Sequence, residues 1–285
     1  MEKRLILRGA LVGALAGLLA FVFARIFAEP QIQAAIDYES GRDAAQAALD
    51  KAAGIAAAET GPDLFSRGVQ ANLGIGVGMI AFGVVMGLLF AVVYAVCLGR
   101  VGAVRPRPLA MLVAGGGFLA LYLAPFVKYP ANPPSIGQPD TIGQRSGLYL
   151  LMVACSVILL VSAVVLGRRL QARFGTWNAS LIAGAAFLVA IGVVIAALPE
   201  LGHLGAHSAG PHATETPLPL RNPAGAIVYP GFPADVLFDF RLHSVAAQLI
   251  LWTTIGLAFG PLAERALAGK PLFATRKARP VSANG

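Results

Sequence analysis

Six apolar segments constrain this chain more than any other feature. They cover residues 5–27, 73–98, 109–127, 147–167, 179–198 and 243–262. Each is long enough to cross a hydrocarbon core of roughly 30 Å, a distance that takes about 20 helical residues. The pattern predicts an all-α fold, a polytopic membrane protein built as a six-helix transmembrane bundle with extended outer loops. Residues 1–285 then form a single integral membrane domain, with outer loops at 28–72, 128–146 and 199–242.

Composition agrees. Of 285 residues, 57% are hydrophobic and only 13% charged, and the mean hydropathy is +0.72, a balance that no soluble domain needs. The net charge of +8 does not indicate nucleic acid, because the basic residues are scattered beside apolar spans rather than gathered in a patch. They follow a topology instead. Lys3, Arg4 and Arg8 fall on one side with Arg100, Arg105 and Arg107, with Arg168, Arg169 and Arg173, and with Arg265, Lys270, Arg276, Lys277 and Arg279. By the positive-inside rule that side is cytoplasmic, and both termini lie there. Every acidic residue except Glu2 and Glu264 lies on the opposite side.

The start Met1-Glu2-Lys3-Arg4 before an apolar run also fits a signal peptide. The run is longer than the usual apolar core of such a peptide, and Ile26-Phe27-Ala28 is a poor cleavage site, so a retained first helix is expected. Cys97 and Cys155 sit at different depths of their spans and are expected to remain unpaired thiols.

Glycines mark helix packing. Gly9, Gly13 and Gly17 recur at four-residue spacing in the first span, and Gly74 with Gly78 and Gly83 with Gly87 in the second; such ridges let backbones approach closely. Gly115-Gly116-Gly117 in the third span reads as packing or as a locally unwound helix. Outside the spans, residues 31–53 suit a surface helix with an apolar face. Pro130, Pro133, Pro134 and Pro139 impose an extended path on 128–146, and a second proline knot stands at Pro230 to Pro233.

No phosphate-binding Gly-x4-Gly-Lys-Ser/Thr loop, His-Glu-x-x-His pair or Gly-x-Ser-x-Gly elbow occurs, so no enzyme is expected. All four histidines, His203, His207, His212 and His243, lie on the outer side. Neutral imidazole ligates late first-row divalent metals, so two readings stand for the three loop histidines: solvated side chains, or weak metal capture with Glu200 and Glu215. Arg25 and Glu29 have the spacing of a same-face helical pair, against which stands snorkelling of Arg25 to headgroups. Arg241, Ser244 and Gln248 form one stripe at the head of the sixth span, preceded by Asp235 and Asp239. That stripe is structural hydrogen bonding or the lining of an entry path.

The stretch from Lys128 to Arg145, KYPANPPSIGQPDTIGQR, resembles the signature of the CbtA family, membrane subunits of a proposed bacterial cobalt transporter. Three further stretches are similar: Leu-Arg-Gly followed by Phe-Ala-Arg25-Ile-Phe-Ala-Glu29-Pro30, then Trp177-Asn178-Ala179, then Gly231-Phe232-Pro233-Ala234-Asp235 leading into Phe240-Arg241-Leu242. The loop between the fifth and sixth spans looks longer than the family's usual connection, and the extra length holds the three loop histidines. The resemblance therefore shifts weight to Asp140, Arg145, Asp235 and Arg241.

The family implies cobalt uptake across the bacterial cytoplasmic (inner) membrane with a small single-span partner, CbtB, besides membrane lipid. On that basis the expected function is a permease subunit that collects a hydrated divalent cation outside and passes it through the bundle. Asp140 and Asp235, helped by Glu29 and His243, are the expected vestibule, with Lys128, Arg145 and Arg241 pinning the loops. No permanently bound cofactor is expected. Cobalt(II) or nickel(II) is the transported ion, since both accept nitrogen and oxygen ligands. The alternative is a non-transporting scaffold or metal-sensing accessory subunit.

Overall fold

The computed structural model describes residues 2–55, 66–137, 141–201 and 216–269. It is an all-α polytopic membrane protein: five of its helices are long and apolar enough to span a bilayer. Helix α1 is Glu2–Phe27, and after the single residue Ala28 the chain enters α2, Glu29–Ala52, with a proline in its first turn, where the missing N–H costs no hydrogen bond. Helices α3 and α4 are Arg67–Cys97 and Pro106–Lys128, α5 is Ile142–Ala197, and α6 is Ala234–Leu267. A two-stranded antiparallel hairpin, β1 Leu220–Arg221 and β2 Ile227–Tyr229, precedes α6.

The fourth and fifth expected spans are the two arms of α5. Its 56 residues, drawn straight, would extend about 84 Å, far beyond any hydrocarbon core. Gly175 breaks it with φ 71° and ψ 168°, a backbone conformation that glycine adopts without a Cβ clash. The chain reverses there. A methyl added at Gly167 would lie 3.2 Å from the Ala183 Cβ, although sixteen residues of straight helix would separate the two positions by about 24 Å. Met152 on the first arm packs with Phe187 and Ile191 on the second. The connection around Arg168 to Arg173 is thus helical up to its single glycine hinge.

Helices overrun the apolar windows that announced them. Helix α3 begins at Arg67 rather than near 73, and α6 begins at Ala234 rather than 243, with Asp235 in its first turn, where a carboxylate complements the helix dipole. Hydropathy locates the hydrocarbon layer, whereas helix ends are set by capping and by the first residue that cannot continue.

The chain divides into two compact units. In the first, residues 1–19, 77–115 and 250–285, the glycine ridges meet: Gly9 and Gly13 of α1 face Gly87 and Gly83 of α3, carbonyl against Cα. A Cβ at Gly13 would collide with the Gly83 carbonyl oxygen and lie 3.0 Å from the Gly87 Cα. Between α4 and α6 the same device recurs, a Cβ at Gly256 falling 2.9 Å from the Ala114 Cβ. Phe259 sits edge-on to Phe90 and Tyr94 at 5.0 Å each. Arg8, 2% exposed, donates to the Leu262 carbonyl, which gives a buried guanidinium an acceptor.

In the second unit, residues 20–76 and 116–249, a π-helical turn at Phe118–Leu123 interrupts α4. Such turns shift the i→i−4 ladder, and two carbonyls within this one take donors from α5: Ser156 Oγ donates to Ala120 and Tyr149 Oη to Leu121. Helix α2 is held to the second proline knot. Tyr38 packs with Tyr229 and Phe232 and donates to the Pro230 carbonyl at 2.9 Å, while Arg42 donates to Leu218 at 2.8 Å.

Because the α1–α3 contact admits no side chain, Gly13→Leu is expected to push these helices apart. Overpacking of this kind typically costs about 1–3 kcal/mol, so the variant should melt well below the wild type and elute as aggregate in detergent. Gly78→Ala, where a Cβ meets nothing within 4 Å, should melt with the wild type.

Candidate functional site

The second unit contains a polar cleft of about 370 Å³ where the end of α1, the start of α2 and the first turns of α3 converge. Its charged and polar walls are Arg25, Glu29, Gln33, Arg67 and Asn72. Glu29 is buried and forms an ion pair with Arg67, whose Nε also donates to Gln33 Oε1 at 3.2 Å. Arg25 Nε donates to Asn72 Oδ1 at 2.9 Å, and Asn72 Nδ2 donates to the Gly68 carbonyl at 2.8 Å. A π-helical turn, Gln70–Gly74, follows Arg67 in α3 and sets the register at which Asn72 meets Arg25.

The same-face pair of Arg25 with Glu29 is therefore not what forms. Each finds a partner on α3 instead, since a buried carboxylate gains more from a guanidinium that reaches it across a helix interface than from an exposed neighbour on its own helix. The sequence carried little trace of Arg67, Gln33 and Asn72. Arg67 is 38 residues from Glu29, and the apolar run that marks α3 begins only after Asn72.

The other expected site residues are dispersed. Asp140, His203, His207 and His212 lie outside the described residues. Asp235 is exposed in the first turn of α6. His243, two turns further along α6, packs beside the Phe23–Phe27 pair of α1 at ring distances of 6.1 and 6.0 Å, and its Nδ1 is buried with no hydrogen-bond partner among the described residues. Among the described residues, no three His, Cys, Asp or Glu side chains converge.

Of the expected loop-pinning cations, Arg241 bonds both ways into the proline stretch, to the Ala131 carbonyl at 3.2 Å and Asn132 Oδ1 at 2.8 Å. The Arg145 guanidinium packs against Gly137, whose φ of 151° and missing side chain make the approach possible. Lys128 ends α4, where a cation favours the helix dipole, with its Nζ 5.9 Å from the Tyr129 ring. Tyr129 is buried, which pushes its phenol above the ordinary range and keeps it a donor to the Pro199 carbonyl at 2.9 Å. In the stripe at the head of α6, Ser244 Oγ returns to its own helix at the Phe240 carbonyl.

The Glu29–Arg67 pair fixes the first turn of α3 to α2, and its loss should be measurable. Glu29→Ala is expected to cost on the order of 1–3 kcal/mol, because it leaves a partly buried guanidinium without its acceptor. A double-mutant cycle of Glu29→Ala with Arg67→Ala in detergent melts should show the paired variant less destabilised than the sum of the two singles.

Neither curated proteins nor solved structures provide a match to this chain. A family model does: the one described as "Probable cobalt transporter subunit (CbtA)" matches residues 2–264. With all but the first residue and the last 21 covered, in a protein whose long apolar helices are those of a membrane subunit, the chain belongs to the CbtA family.

Proposed function

We propose that this chain is the membrane-embedded subunit of a cobalt transporter, taking the hydrated ion at the outer face and passing it into the helical bundle. The observation that carries the reading is His243. A buried imidazole nitrogen with no hydrogen-bond partner among the described residues has a lone pair or N–H to offer, and imidazole is a preferred ligand of late first-row divalent ions. Asp235, exposed two turns upstream on the same helix, would attract the ion electrostatically and start to strip its water. Asp140 is the second carboxylate we assign to this vestibule.

Glu29 enters the proposal differently from the other acids. Its carboxylate is satisfied by Arg67, so it supports the vestibule as a counter-ion that orders α3 and serves the cation only if that pair opens. Arg241, bonded to Ala131 and Asn132, and Arg145, packed on Gly137, support the assignment of these two as loop-pinning groups. We place the two termini in the cytoplasm of a bacterial inner membrane, with a small CbtB-like subunit completing the pathway.

One observation favours the second reading, a non-transporting accessory subunit: no three ligating side chains converge among the described residues. Uptake of labelled cobalt separates the two. In transporter-deficient cells, this chain with its partner should accumulate cobalt well above background, and should do so poorly alone. His243→Ala and Asp235→Asn should each lower that uptake several-fold at unchanged protein level, as should Asp140→Asn. No uptake under either condition, with the chain correctly inserted, overturns the permease reading. Unchanged uptake in the variants removes the vestibule assignment.

A further inference from the structure

We infer that the cleft between α1, α2 and α3 is a binding site for the headgroup of an anionic phospholipid. The inference stands apart from the transport reading. Among the described residues, two guanidiniums, Arg25 and Arg67, face this cleft against one carboxylate, Glu29, while Gln33 and Asn72 are neutral. With Glu29 paired to Arg67, the unbalanced charge is that of Arg25. Its Nε is spent on Asn72, and its two Nη groups have no partner among the described residues. They present a planar pair of donors of the kind that binds a phosphate in bidentate fashion.

Charge alone would admit any small anion, but the setting selects a lipid. Ile26, which lines the cleft, is 59% exposed, and Val22, one turn away on α1, is 46% exposed. On α3, Val69 and Leu73 are 46% and 69% exposed. Exposed apolar side chains thus accompany the positively charged cleft on the same two helices that carry Arg25 and Arg67, with Ile26 in its wall. A phosphodiester would occupy the cleft while the acyl chains lie along Val22 and Ile26 or along Val69 and Leu73. The opposite occupant, a divalent cation, faces two guanidiniums and a carboxylate that is already neutralised. Arginine side chains at the ends of membrane helices commonly reach for headgroups; here the reach is fixed by Asn72 and backed by a second arginine, which makes it a site.

The test uses the full chain, purified in detergent and titrated with short-chain phosphatidylglycerol or phosphatidylcholine. Retained lipid is counted by native mass spectrometry and checked by the rise in melting temperature. The wild type should retain one phosphatidylglycerol, preferred about tenfold over phosphatidylcholine. Arg25→Gln should bring the two lipids to parity, Arg25→Lys should keep an intermediate preference, and Arg100→Gln, a basic position that does not line the cleft, should leave it unchanged. Glu29→Gln, which releases Arg67 from its carboxylate, should raise the preference for phosphatidylglycerol. Should Arg25→Gln fail to fold, the Arg25→Lys and Glu29→Gln shifts decide. Retention unaffected by Arg25→Gln, equal loss in Arg100→Gln, or displacement of the lipid by inorganic phosphate would each overturn the assignment, the last by pointing to a soluble anion.

Discussion

Hydrocarbon offers no hydrogen-bond partners, so every backbone group that enters it must be satisfied by the protein itself. The departures from straight helix in this chain are organised around that constraint. At the π-helical turn of α4, hydroxyls of Ser156 and Tyr149 take carbonyls within the shifted ladder. At Gly175, by contrast, α5 reverses in the basic connection between its two apolar arms, where water can serve the freed backbone groups. The proline-rich segments pose the complementary problem, because a residue without an N–H leaves its region with more acceptors than donors. Side chains make up the difference: Tyr38 donates to Pro230, Tyr129 to Pro199, Arg42 to Leu218 and Arg241 to Ala131. Donor-rich, acceptor-poor arginine and the phenol of tyrosine suit this task, and they are the residues found there.

That reasoning also shows how far the sequence could be read. The apolar windows fall on the five long apolar helices, because the apolarity that suits a helix to lipid is a property of about twenty consecutive residues, visible locally. The glycine ridges were legible for the same reason, and Gly9, Gly13, Gly83 and Gly87 meet as their spacing implies. What the ridges could not disclose was which of them is used: Gly74 and Gly78 have the same spacing, yet a side chain at Gly78 would touch nothing. Two helices begin six and nine residues before their apolar windows, at Arg67 and Ala234, because their first turns are polar sequence that hydropathy does not register. The surface helix at 31–53 was found nearly whole as α2 because its periodicity is intrinsic to it.

The cleft was legible only in its first half. Arg25 and Glu29 stood out as charges beside an apolar span, and their four-residue spacing suggested each other as partners. The choice between a local and a distant partner depends on how α3 approaches the α1–α2 junction, and that depends on a π-helical turn at Gln70–Gly74 for which single-residue propensity provides no signal. His243 illustrates the reverse case. Its type and position suggested a ligand, but its informative property, a ring packed near two phenylalanines with a buried nitrogen that has no partner among the described residues, is a fact of packing.

These two findings divide the labour among the charged groups near the membrane. A carboxylate that is buried and already paired cannot attract a free cation at long range, since Arg67 cancels its field before the ion arrives. An exposed carboxylate can, but holds the ion weakly because water competes for it. Capture followed by release inward needs the second kind at the entrance and a neutral donor behind it, where dehydration is completed without creating a deep trap. On the transport reading proposed above, Asp235 in the first turn of α6 and His243 two turns along the same helix would act in that order. Glu29, tied to Arg67, belongs to the contacts that join α1, α2 and α3, and the charge of Arg25 beside that pair suits an anion better than a cation.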